Sequence, residues 1–148
     1  MNPTLYAESS AILAWLLGEA EGPAVAAELR GAAQVVASNL TIIECERVLI
    51  RAWSLGLMTE AAAADQRFAL ARAAAHWVVL HLDAEVTERC RRPFPIEPVR
   101  TPDALHLGSV SAARAVIPDL AVLTLDQRIR ENAVRLGLEV FPRGASAA

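Results

Sequence analysis

Two kinds of block alternate along this chain. Short apolar runs at residues 4–7, 35–36, 77–80, 120–125 and 138–141 predict strands. Between them, apolar positions recur at helical spacing. These predict helices at about 11–17, 24–30, 41–55, 60–76, 83–91, 101–116 and 126–137. The boundaries carry matching chemistry: Ser9 or Ser10 can cap the first helix, Thr59 the fourth and Asp126 the last. Thr101-Pro102 reads as a cap followed by proline in the first turn, and Gly56 and Gly137 read as helix stops. Pro93, Pro95 and Pro98 make the stretch before Thr101 a loop. Strands alternating with helices predict an α/β fold with a parallel sheet and right-handed crossovers. The helix pair between the second and third strands is longer than one crossover needs, so it can form a clip or lid.

At 148 residues the chain is expected to be one domain, residues 1–143, followed by a flexible tail at 144–148. A chain of this size buries roughly 68–70% of its unfolded surface, so it needs no disulfide or zinc to hold a core. The 54% apolar content is high enough that some of it can face a partner. A net charge of −3 argues against bulk nucleic-acid electrostatics and leaves room only for local basic patches. All 14 basic residues are Arg. The absence of Lys excludes a P-loop lysine, a Schiff-base lysine and the lysine of a phosphoryl-accepting receiver domain. Cys45 and Cys90 have no metal-ligand spacing and read as reduced thiols. The start lacks the basic region of a signal peptide, and the apolar stretch 11–17 is too short to span a bilayer. The expectation is a cytoplasmic protein with no membrane partner.

Four acids stand at element boundaries: Glu8, Glu44, Asp103 and Asp126. Each has an ordinary structural role as well. Glu44 lies three residues after Thr41, the spacing of a capping box. Asp126 can cap the last helix, Asp103 favours a first helical turn, and Glu8 can be a solvated strand end. Together they suggest more, because ligands of open α/β sheets bind outside the carboxyl ends of the strands. Carboxylates converging there repel one another unless a cation sits among them. All-oxygen donors suit magnesium or manganese, which support phosphoryl displacement. Ser9, Ser10 and Thr124 offer hydroxyls for a phosphate, or simply for caps and turns. Arg47 and Arg51 follow Glu44 by three and seven residues; with Arg100 they are candidates for phosphate contact or for surface ion pairs. His106, one turn after Asp103, reads mainly as a structural histidine. Trp15, Trp53 and Trp77 read mostly as core, although Trp15 can also line a groove.

These residues carry a family resemblance. Leu5-Tyr6-Ala7-Glu8-Ser9-Ser10-Ala11, Thr41-Ile42-Ile43-Glu44, Arg100-Thr101-Pro102-Asp103-Ala104-Leu105-His106-Leu107 and Leu123-Thr124-Leu125-Asp126 occur in order over nearly the whole chain. In this the chain resembles the PIN-domain ribonucleases, and among them the VapC-like toxins of toxin–antitoxin pairs. The resemblance implies a three-layer α/β/α fold around a central, mostly parallel sheet of about five strands. It implies a ribonuclease using magnesium or manganese, with Glu8, Glu44, Asp103 and Asp126 as catalytic and metal residues. It also implies an RNA substrate, a homodimer and a VapB-like antitoxin bound in an apolar groove. The family usually has Asp at the end of the first strand, where this chain has Glu8. That departure leaves an alternative: a PIN fold with reduced or lost catalysis that acts mainly as a partner-binding module. A phosphatase or receiver domain is disfavoured by the missing Lys and by the lack of an Asp-x-Asp pair after the first strand.

Overall fold

A computed structural model describes residues 2–144. Of the tail expected at 144–148, all but Gly144 lies outside the described residues. The strands are β1 (Thr4–Ala7), β2 (Gln34–Ser38), β3 (Val78–Leu80), β4 (Leu120–Leu123) and β5 (Val140–Phe141). The helices are α1 (Ser9–Leu16), α2 (Gly22–Gly31), α3 (Asn39–Ser54), α4 (Glu60–Ala74), α5 (Ala84–Cys90), α6 (Thr101–Arg114) and α7 (Gln127–Arg135). The sheet order is β3-β2-β1-β4-β5, and every pairing is parallel.

The period-two alternation of the strands divides two cores. Tyr6, Val36 and Val122 lie side by side in register and face Leu107, Val110 and Ala113 of α6 with Ile129 and Ala133 of α7. On the other face, Ala7, Val35 and Ala37 pack with Ile12 and Leu16 of α1, while Leu5, Ala121 and Leu123 pack with Ala11 of α1 and Val25 of α2. β1 and β4 are buried at every position. Coverage of both faces explains why these strands are apolar apart from Thr4 at the start of β1. The third and fourth helices do not stand free as a lid: α3 packs on α1 and α4, and α4 also touches α1.

Two expected caps change, and one expected capping box does not form. Glu8, not Ser9 or Ser10, caps α1, with its side chain accepting from Ser10 N. β2 runs on to Ser38, whose hydroxyl caps α3 at Leu40 N. Thr41 is therefore inside the helix and donates instead to Ala7 O at 2.9 Å, so no capping box engages Glu44. Arg100 takes the cap position of α6 without a side-chain hydrogen bond, and Thr101 is already helical. Trp53 is 44% exposed and does not join the core.

From β1 the chain moves to β2 on one side, and β4 returns to pair with β1 on the other. The carboxyl ends of β1 and β4 therefore flank the point where the winding reverses, the usual place for a cleft in such sheets. Glu8 follows β1 directly, and Asp126 opens α7 just beyond β4.

Candidate active site

Glu8 is 5% exposed. Its Oε2 accepts from Thr124 Oγ1 at 2.7 Å, from Ser10 N at 3.1 Å and from the Ser10 hydroxyl. Ser10 Oγ in turn accepts from Leu125 N at 2.9 Å, and Thr124 Oγ1 from Asp126 N at 3.1 Å. One carboxylate oxygen thus ties the start of α1 to the turn after β4. Oε1 faces His106 Nε2 at 3.9 Å. Burial pushes the Glu8 carboxyl above its ordinary range, against His106 and the Ser10 and Thr124 hydrogen bonds, which pull it down.

Glu44 is half-buried on α3 and engages the opposite wall. Its Oε1 lies 2.5 Å from His106 Nε2 and accepts from Ser9 Oγ at 2.8 Å. Burial would raise this carboxyl, but the hydrogen bonds of His106 and Ser9 outweigh it and leave Glu44 below its usual range. His106, 1% exposed, also lies 2.9 Å from the hydroxyl of Tyr6 through Nδ1. The Tyr6 phenol is fully buried and is pushed upward by desolvation, so it keeps its proton.

Asp103 and Asp126 line one open cavity of about 570 Å³ with Arg100, Arg128 and Glu131. Asp103 stands in the first turn of α6. Partial burial raises its carboxyl; Asp126 and Glu44 add to the rise, and Arg100 and His106 oppose it. Asp126 fills both roles open to it in sequence, because its Oδ1 caps α7 at Ile129 N, 2.9 Å away, while it also lines the cavity.

Arg100 therefore reaches the Asp103–Asp126 cavity. Arg47 and Arg51 do not; they are exposed and line a different depression along α3 with Val48, Ile50 and Ser54. The hydroxyls of Ser9, Ser10 and Thr124 all donate to the carboxylates of Glu8 or Glu44. Sequence reasoning missed the extent of the His106 contacts, the place of Tyr6 and the presence of Arg128 in the cavity. The parity of β1 was an available signal, since Tyr6 and Glu8 are two residues apart and turn the same way.

Among the described residues, no three acidic, imidazole or thiolate groups already stand together as a metal-binding group. The donors nevertheless suit a hard divalent cation, being carboxylate oxygens. At Asp103 the charges of Asp126 and Glu44 add repulsion to the effect of burial, and Arg100 and His106 oppose it. Asp103 and Asp126 line the open cavity, while Glu8 and Glu44 meet at His106.

The model of one protein family, the PIN domain, matches residues 5–135. The chain belongs to the PIN-domain family. Among solved structures, it is similar to Mycobacterium tuberculosis VapC20, described as a Sarcin-Ricin loop cleaving toxin. The TM-score is 0.63 at 15% identity, over 86% of this chain and 93% of that one. No curated protein sequence matches the chain. The likeness to VapC20 bears on the PIN fold, and the five-stranded parallel sheet with helices on both faces is in keeping with it.

Proposed function

We propose that this PIN-domain chain is a divalent-metal-dependent endoribonuclease, the toxin of a toxin–antitoxin pair. The observation that carries the reading is the meeting of Asp103, Asp126 and Arg100 in one cavity at the carboxyl edge of the sheet, backed by Glu8 and Glu44. Glu8, Glu44, Asp103 and Asp126 hold magnesium or manganese. When bound, the ion supplies Lewis-acid stabilisation for in-line displacement at an RNA phosphodiester. Arg100 and Arg128 place the phosphate backbone beside the acids. The hydroxyls of Ser9, Ser10 and Thr124 hold Glu44 and Glu8 in position rather than contacting RNA.

The partners proposed with this activity are a structured RNA, a second copy of the chain and a VapB-like antitoxin. Among the described residues no helix is long and apolar enough to cross a membrane, and the proposed location is the cytoplasm. The test is cleavage of RNA stem-loops, the sarcin–ricin loop among them, in magnesium, manganese or EDTA. Metal-dependent cleavage is expected for the natural chain and its loss for Asp103→Asn and Asp126→Asn. Equal cleavage by both variants removes the mechanism.

One observation favours a second reading. Glu8 Oε2 already accepts three hydrogen bonds, and its carboxyl is raised by burial. In this reading Glu8 is a structural tie, catalysis is reduced, and partner binding dominates. A Glu8→Asp variant that cleaves RNA where the natural chain does not would favour it.

A further inference from the structure

We infer that His106, with its tautomer set by Tyr6, is a positioning residue that aims Glu44 at the proposed cation. The inference deepens the metal-dependent reading above and rests on it. Tyr6 is fully buried with its hydroxyl 2.9 Å from Nδ1 of His106, and in this assignment the O–H donates to Nδ1. That leaves the ring proton on Nε2, which points at Glu44 Oε1 at 2.5 Å. Ser9 Oγ donates to the same Oε1 at 2.8 Å. With Oε1 taken twice, Oε2 is the Glu44 oxygen left for a ligand. The same Nε2 lies 3.9 Å from Glu8 Oε1, so one imidazole edge faces both buried carboxylates. Packing fixes the ring, since His106 is 1% exposed and stands edge-on to Tyr6 with ring centroids 6.0 Å apart. A carboxylate locked in this way needs little reordering when a cation arrives, and loss of such an outer partner typically weakens metal affinity by about 10–100-fold.

Two near-isosteric variants isolate the hydrogen bonds from the packing. In His106→Gln, the amide oxygen can accept from Tyr6 and the amide nitrogen can donate to Glu44. His106→Met fills similar space and does neither. Manganese affinity is measured by calorimetry, with melting in EDTA as the control for folding. The expected result is a loss of roughly 10–100-fold for His106→Met and substantial rescue by His106→Gln. Equal affinities of the two folded variants overturn the inference. Tyr6→Phe keeps the ring and removes the phenol; it is expected to weaken manganese binding several-fold. Unchanged affinity in Tyr6→Phe overturns the tautomer control even if neither position-106 variant folds. Asp103→Asn separates the two levels of the argument. If the natural chain does not bind manganese, or Asp103→Asn binds it equally, the cation reading itself fails. If Asp103→Asn loses binding while the Gln and Met variants match the natural chain, only the role of His106 fails.

Discussion

Asp126 offers a clean separation between holding the fold and serving the site. Its Oδ1 accepts from Ile129 N at 2.9 Å as the cap of α7, and the residue also lines the cavity with Asp103. Asp126→Ala removes the cap acceptor and leaves a helix-terminal N–H unpaired, at a cost of about 1 kcal/mol within a range of about 0.5–2. For a chain of this size that lowers the melting temperature by roughly 2–4 °C. Asn caps about as well as Asp. Asp126→Asn forfeits a charge at the helix N-terminus, worth roughly 0.3–1 kcal/mol, and is compensated by relief of the repulsion with Asp103. It should therefore melt within about 1 °C of the natural chain in EDTA, given these opposing terms. Both substitutions should abolish metal-dependent RNA cleavage. The assays are thermal melting without metal and cleavage of a stem-loop with manganese. If Asn destabilises as much as Ala, the cap hydrogen bond is not what Asp126 contributes to the fold. If Asn keeps full cleavage, Asp126 has no part in the site.

Three other outcomes follow from the same contacts. Manganese at a hundred times its dissociation constant should stabilise the natural chain by about 2.7 kcal/mol, read as a higher melting temperature, and should leave Asp103→Asn unmoved. Glu8→Asp withdraws the carboxylate from Thr124, a 2.7 Å contact; loss of a hydrogen bond to a charged group should destabilise the metal-free fold by about 1.5–3 kcal/mol, and a variant melting at or above the natural chain in EDTA would contradict this. The pH dependence should differ in sign between two acids. Glu8 is raised above 4.5 in the fold, so the folded state holds its proton longer and metal-free stability falls as pH rises from 4.5 through the raised value; Glu8→Gln should remove that decline. Glu44 is lowered, so its contribution is present above 4.5 and fades as pH drops through the lowered value. Glu44→Gln should therefore cost most near neutrality, and melting curves across acid to neutral pH in EDTA read both effects.

The sheet was readable in the sequence because both faces of β1 and β4 are covered, and a strand buried on both faces is mostly apolar. Asp126 was readable for a local reason: a cap acts on its own helix. Glu44 was not, because its fate depends on His106, 62 residues away, and on Ser9, 35 residues away. The capping box suggested by Thr41 fails because Ser38 is the cap of α3 and Thr41 lies inside the helix. Arg47 and Arg51 keep the right helical phase relative to Glu44. Phase fixes direction around the axis but not position along it, and seven residues carry Arg51 roughly 10 Å along α3. Tyr6 was legible only as part of the first strand; it sits in the core, and its hydroxyl acquires meaning only from where α6 places His106.

The extra methylene of Glu8 has a geometric use here. A shorter acid at the cap of α1 would still meet Ser10 N, but it would stop about one carbon–carbon bond short of Thr124. The longer side chain bridges the ends of β1 and β4 across the point where the winding reverses. That bridge commits Oε2 to the fold and leaves Oε1 beside His106. It also buries a carboxylate that burial disfavours as an anion. A cation at this edge would lower the cost of that buried charge and the repulsion felt by Asp103 together. Glu8 thus couples the two properties. The residue that ties the strands is less stable ionised in the metal-free fold, and metal binding should stabilise the same anion that the proposed chemistry needs.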